Sequence, residues 1–137
     1  MITSAKNTIR NVAFVLLIGC IAASCEKDPG EGGTSSIRGK VWVKNYNSSF
    51  TYLQEEYYAQ DEDVYIIYGD DFSYSDRVKT SYNGAFEFKY LRKGDYHIYV
   101  YSKDSTCTSS ADIPVITDVT ISKNNEVVEL PDIVIKK

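Results

Sequence analysis

The stretch Asn83-Gly84-Ala85-Phe86-Glu87-Phe88-Lys89-Tyr90-Leu91-Arg92-Lys93-Gly94-Asp95-Tyr96-His97-Ile98-Tyr99-Val100-Tyr101 decides the fold. Phe86, Phe88 and Tyr90 recur at every second position with Glu87 and Lys89 between them. Tyr96, Ile98 and Val100 do the same against His97, Tyr99 and Tyr101. Successive side chains leave opposite faces of a strand, so a period of two predicts two strands, each with an inward and an outward face. Asn83-Gly84 and Lys93-Gly94-Asp95 supply the turn residues on either side of the first.

The same alternation extends in both directions. Ile37, Gly39, Val41 and Val43 share one face and Arg38, Lys40, Trp42 and Lys44 the other. Val64 to Tyr68, Val115 to Ile121 and Val127 to Ile135 read as further strands, with a turn at Lys123-Asn124-Asn125. Pro131 is expected to break the last of these, because it cannot donate to a strand ladder. Helical periodicity is not sustained anywhere after Ser36. About seven short strands at 8–12-residue spacing predict an all-β fold, a seven-stranded prealbumin- or immunoglobulin-like antiparallel β-sandwich.

Four pieces of this pattern carry a family resemblance. Ile37-Arg38-Gly39-Lys40-Val41 resembles the opening strand of carboxypeptidase regulatory-like, or transthyretin-like, domains. Thr80-Ser81-Tyr82-Asn83-Gly84-Ala85-Phe86-Glu87-Phe88 resembles their hairpin, and Leu91 to Val100 the strand that follows. Val128, Leu130, Ile133 and Val134 are similar to the closing segment. The resemblance implies a prealbumin-like sandwich that serves as an accessory, spacer or binding module and carries no catalytic residues. The chain departs from the family between Asn45 and Asp63, where a Tyr- and Glu-rich insertion replaces a short loop.

The first residues read as an address. Lys6 and Arg10 precede an uncharged apolar run from Val12 to Ser24, whose 13 residues fall short of the roughly 20 that span a bilayer. A cysteine directly after such a run resembles the lipobox of bacterial lipoproteins. Leu17-Ile18-Gly19-Cys20 fits that pattern by residue type, whereas Cys25 leaves the longer apolar run and precedes the polar Glu26-Lys27-Asp28-Pro29. Lipidation is expected at Cys25, with Cys20 as the alternative. The domain reading is therefore a signal peptide over 1–24, a flexible Gly-rich tether over 25–35 and the sandwich over 36–137. The resemblance places the protein in the outer membrane of a Gram-negative bacterium, facing the surface or the periplasm. Cys107 would then be the remaining thiol, more consistent with a buried inert residue than with a nucleophile.

Composition bounds the function. A chain of 137 residues holds one domain plus accessories, and its 43% hydrophobic and 25% charged content is that of a globular protein. Losing the signal removes two of the 15 bases and none of the 19 acids, so the net charge moves from −4 to −6. An acidic body is poorly suited to nucleic acid, which exchanges its counterions for Lys and Arg. Eight acids and no base lie between Asn45 and Asp76, but Asp61-Glu62-Asp63 and Asp70-Asp71 flank one predicted strand about 20 Å long. Solvated loops are expected there, with no metal site and no cofactor. The anomaly is tyrosine, 12 of them against five Phe and one Trp. Alternation points Trp42, Tyr65, His97, Tyr99 and Tyr101 outward, as an amphipathic patch offering large contact area at low entropic cost. Two bland readings compete with a binding patch: the insertion folds over that face, or tyrosine is simply a good strand former. The expected function is a lipid-anchored, non-catalytic module engaging an extracellular protein or glycan. A structural spacer or self-assembling subunit is the alternative, and a small hydrolase relying on His97 the remote one.

Overall fold

A computed structural model describes residues 27–106 and 111–137. The expected signal peptide over 1–24, the candidate lipidation sites Cys25 and Cys20, and Cys107 lie outside the described residues. Nine strands follow in order: β1 (Glu31–Tyr46), β2 (Leu53–Tyr58), β3 (Asp63–Tyr68), β4 (Asp76–Lys79), β5 (Ala85–Leu91), β6 (Gly94–Lys103), β7 (Asp112–Ile121), β8 (Val127–Glu129) and β9 (Ile133–Lys136). Among the described residues there is no helix. The fold is an all-β sandwich.

One sheet is built around β1, which pairs antiparallel with β2 and β5 and parallel with β8 and β9. The other runs β4-β3-β6-β7 and is antiparallel throughout. Two expectations need correcting here. The sandwich has nine strands rather than seven, and β8 and β9 make it mixed rather than wholly antiparallel. Leu53-Gln54-Glu55-Glu56-Tyr57-Tyr58 has no apolar period because five of its six residues stay exposed, so β2 left no alternation to find. β4 has four residues and turns only Val78 toward the core. Pro131 does interrupt the closing run, separating β8 from β9.

The inward faces form one core. Ile37, Val41 and Val43 of β1 meet Val64 and Ile66 of β3, Phe86 and Phe88 of β5, and Ile98 and Val100 of β6, with Ile133 and Ile135 closing the end. Each such side chain removed from water stabilises the fold by about 1.5–3 kcal/mol, so these positions hold the two sheets together. Tyr90 departs from the alternation: it takes φ +59° and is exposed, and Leu91 turns into the core instead.

The strand that opens the fold starts earlier than the alternation suggests. Pro29 packs on Gly94, where a Cβ would approach its Cγ to 2.5 Å. The Gly30 amide donates to the Tyr96 hydroxyl (3.0 Å), and that hydroxyl donates to the Arg92 carbonyl (2.8 Å). Burial raises the pKa of Tyr96 above the usual phenol value, which keeps this donor protonated. Gly33 lies so close to the Leu91 carbonyl that a Cβ would sit 1.9 Å from its oxygen. The glycines at 30–33 thus serve close approach to β5 and β6, and the segment read as a tether enters the body at Pro29.

Candidate functional site

The outward face of the β4-β3-β6-β7 sheet gathers most of the expected residues. Register sets Tyr65 beside Tyr99, and Tyr99 beside Ile116. The Tyr65 and Tyr99 rings stack at 4.9 Å with 11° between their planes. Tyr101 meets both edge-on, at 5.6 and 5.5 Å. Tyr74, from the loop between β3 and β4, meets Tyr65 edge-on at 5.1 Å. Four phenol rings and the half-exposed Ile116 therefore make a contiguous floor on three strands and a loop. Edge-on and offset contacts between rings contribute about 0.5–1.5 kcal/mol each, so the cluster is held in place before any partner arrives.

Tyr99 faces outward as alternation requires, yet only 8% of it is accessible. This corrects its expected exposure: packing against Tyr65 and Tyr101 makes it the base of the cluster rather than its surface. Burial, with Tyr101 and Tyr65 alongside, pushes its hydroxyl up to about 12. Tyr101 and Tyr74 are the accessible rings, at 43% and 52%. Tyr74 lies in a loop with no alternation to read; its place next to a Ser-rich turn gave no signal for the face it joins.

Polar groups rim the floor. The Tyr65 hydroxyl, backed by Asp63, raises the pKa of Arg77 further above its ordinary value. Arg77 Nη1 lies 3.8 Å from Asp63 Oδ2. On the other side His97 Nδ1 is 2.6 Å from Asp118 Oδ1, and the Thr120 hydroxyl donates to Asp95 at 2.6 Å. The Asp118 side chain is 80% exposed, so the pair sits in water and lacks the excluded setting in which an acid–histidine dyad acts as a base.

Trp42 belongs elsewhere. It faces outward from β1, in the other sheet, so the expected single patch is two separate faces on opposite sides of the sandwich. There its ring meets Tyr58 of β2 edge-on at 4.7 Å, and its indole N–H donates to Glu56 at 3.4 Å. The insertion therefore extends the β1 sheet and shields Trp42; it does not cover the tyrosines. Beside this pair lies a cavity of about 530 Å³ lined by Arg38, Lys40, Tyr58 and Asp132 among others. Its charges are already engaged: Arg38 with Glu129 at 3.4 Å, Lys40 over the Tyr58 ring at 4.7 Å, and Asp132 accepting from Tyr58 at 3.3 Å.

No family model and no curated protein matches the sequence. Among solved structures, a candidate carbohydrate-binding protein from Pseudomonas aeruginosa is similar, at 15% identity and a TM-score of 0.48 over 79% of this chain and 91% of that one. Among the described residues, no group of three or more His, Cys, Asp or Glu side chains is placed to hold a metal ion. The two acidic runs flank β3, Asp61-Glu62-Asp63 at its start and Asp70-Asp71 just past its end.

Proposed function

We propose that this protein is a lipid-anchored, non-catalytic binding module of the bacterial cell envelope whose tyrosine face takes up a glycan. The observation that carries the reading is the Tyr65–Tyr74–Tyr99–Tyr101 cluster, pre-packed and open to solvent at Tyr74 and Tyr101. Sugar rings present C–H groups on one side and hydroxyls around the rim. Phenol rings match both, with an apolar face for the C–H groups and an O–H that donates or accepts. The size of the floor favours a glycan over a protein. Strands lie about 4.8 Å apart, so the three strands and the loop span only some 10–15 Å. That suits two or three sugar rings, whereas a stable protein interface takes about 800 Å² from each partner. Arg77 and Asp118 at the rim can read hydroxyls by hydrogen bonds. The anchor reading rests on the apolar run and the cysteine that follows it.

The test is retention on a panel of immobilised oligosaccharides. Tyr74→Ala and Tyr101→Ala should each weaken retention about tenfold, or ~1.4 kcal/mol, in protein that is still folded at the assay temperature, the lost ring contacts lowering the melting temperature by only several degrees. Unaltered retention in both variants, or loss with Trp42→Ala alone, overturns the reading.

A further inference from the structure

The chain enters the body at one end of the sandwich, and that end carries an unusual side chain. Pro29 is wedged against Gly94 and lies beside Gly69, where a Cβ would meet its Cγ at 3.5 Å. The Arg92 guanidinium donates to the Asp28 carbonyl at 3.5 Å, and the Arg92 amide to the Gly30 carbonyl at 2.8 Å. The Gly69 amide donates to the Asp95 carbonyl (2.9 Å), which ties the loop after β3 to the same end. Three residues on in that loop stands Phe72, fully exposed and the most exposed large apolar side chain among the described residues. Leaving a phenylalanine ring in water is unfavourable, and here no neighbour shields it.

We infer that this end of the sandwich docks on a lipid surface, with Phe72 inserted into the interface. The inference rests on the lipid anchor proposed above and adds where the membrane meets the body. Three residues lie between Cys25 and the fixed Pro29, so the four steps of chain reach at most about 14 Å even when fully extended. With Cys25 acylated, as proposed above, so short a link turns the end bearing Pro29 toward the bilayer. Phe72 then lies where an apolar ring gains from burial in the headgroup and acyl boundary. Next to Pro29 an open hollow of about 490 Å³ is lined by Lys27 and Lys93 and equally by Asp28 and Asp95. Charge alone does not drive the contact, because Asp28 and Asp95 stand beside those lysines and Asp70 and Asp71 precede Phe72. The partner is therefore a zwitterionic lipid surface, and added anionic lipid does not strengthen the contact. In this pose Tyr101, seven residues along β6 from Gly94, lies some 23 Å along the strand from the docked end, and Tyr74, two residues after Phe72, is the ring of the cluster nearest the lipid.

The full chain, matured on membranes and purified in detergent, is reconstituted into phosphatidylethanolamine–phosphatidylcholine vesicles. Two variants carry a single reporter tryptophan in a Trp42→Phe background: Phe72→Trp at the docked end and Tyr82→Trp in the turn before β5, at the far end. The expected result is vesicle flotation of both, with blue-shifted emission and quenching by acyl-brominated lipid for the Phe72→Trp protein alone. Flotation with both reporters in water overturns the docking and leaves the anchor standing. Quenching of both reporters overturns a defined docked end, and failure to float overturns the anchor and the docking together.

Discussion

The two outward faces of this sandwich obey the same alternation and come to opposite ends. On the β1 sheet the outward aromatics are shielded by charges: Trp42 donates to Glu56, Lys40 lies over Tyr58, and Arg38 and Lys44 pair with Glu129 and Glu56. On the β3–β6 sheet the outward aromatics meet one another, and the charges stay at the rim. Each face has outward aromatics set among polar neighbours. What separates them is the strand alongside. β2 brings Glu56 and Tyr58 over to Trp42, whereas β3 brings a tyrosine to Tyr99 and β7 an isoleucine. An outward aromatic thus becomes a binding surface or a structural clasp according to its cross-strand partner.

The comparison can be strained first from inside. Ile98 and Tyr99 are adjacent in β6 and both are buried, one in the core and one in the tyrosine cluster. Ile98→Ala should lower stability by about 2–5 kcal/mol in a denaturant titration, the loss typical of a core isoleucine. Tyr99→Ala should follow at about 2–3 kcal/mol and also loosen Tyr101, whereas the half-buried Trp42→Ala on the other face should fall nearer 1 kcal/mol. If Tyr99→Ala proves as mild as Trp42→Ala, the cluster is not pre-packed.

Alkaline titration sharpens the same contrast. The hydroxyls of Tyr99 and Tyr68 are pushed up to about 12 by burial, against about 10 in an unfolded chain. The folded state holds these protons more tightly, so their contribution to stability is complete below pH 10. It is lost progressively as pH rises from about 10 to 12. Absorbance of phenolate against pH should show a late-ionising phase that Tyr99→Phe reduces by one group, Tyr68 accounting for part of what remains. The smallest effect belongs to the charged face: Glu129→Gln breaks an exposed ion pair with Arg38 and should change stability by less than about 1 kcal/mol.

What could be read in advance follows from what each residue touches. Inward positions of β3, β5 and β6 announced themselves because a shared core imposes a strict period on Val64, Ile66, Phe86, Phe88, Ile98 and Val100. β2 was invisible because an exposed strand imposes none, and without β2 the separation of Trp42 from the tyrosines could not be foreseen. Tyr65 and Tyr101 were legible as outward residues, but the depth of Tyr99 depends on ring contacts across strands. Tyr74 arrives from a loop whose path depends on the Ser75 amide reaching the Ile66 carbonyl. The glycines before Ser35 carried the most misleading signal. Composition makes them a flexible tether, whereas Gly33 is there because the Leu91 carbonyl leaves no room for a side chain.

The claim that the β3–β6 face is the binding face is tested most directly by ring and amide NMR during titration with an oligosaccharide the protein retains. Shifts confined to Tyr65, Tyr74, Tyr99, Tyr101 and Ile116, with the Trp42 indole signal unmoved, are the predicted result. Shifts centred on Trp42 and Tyr58, with the tyrosine cluster silent, would contradict it.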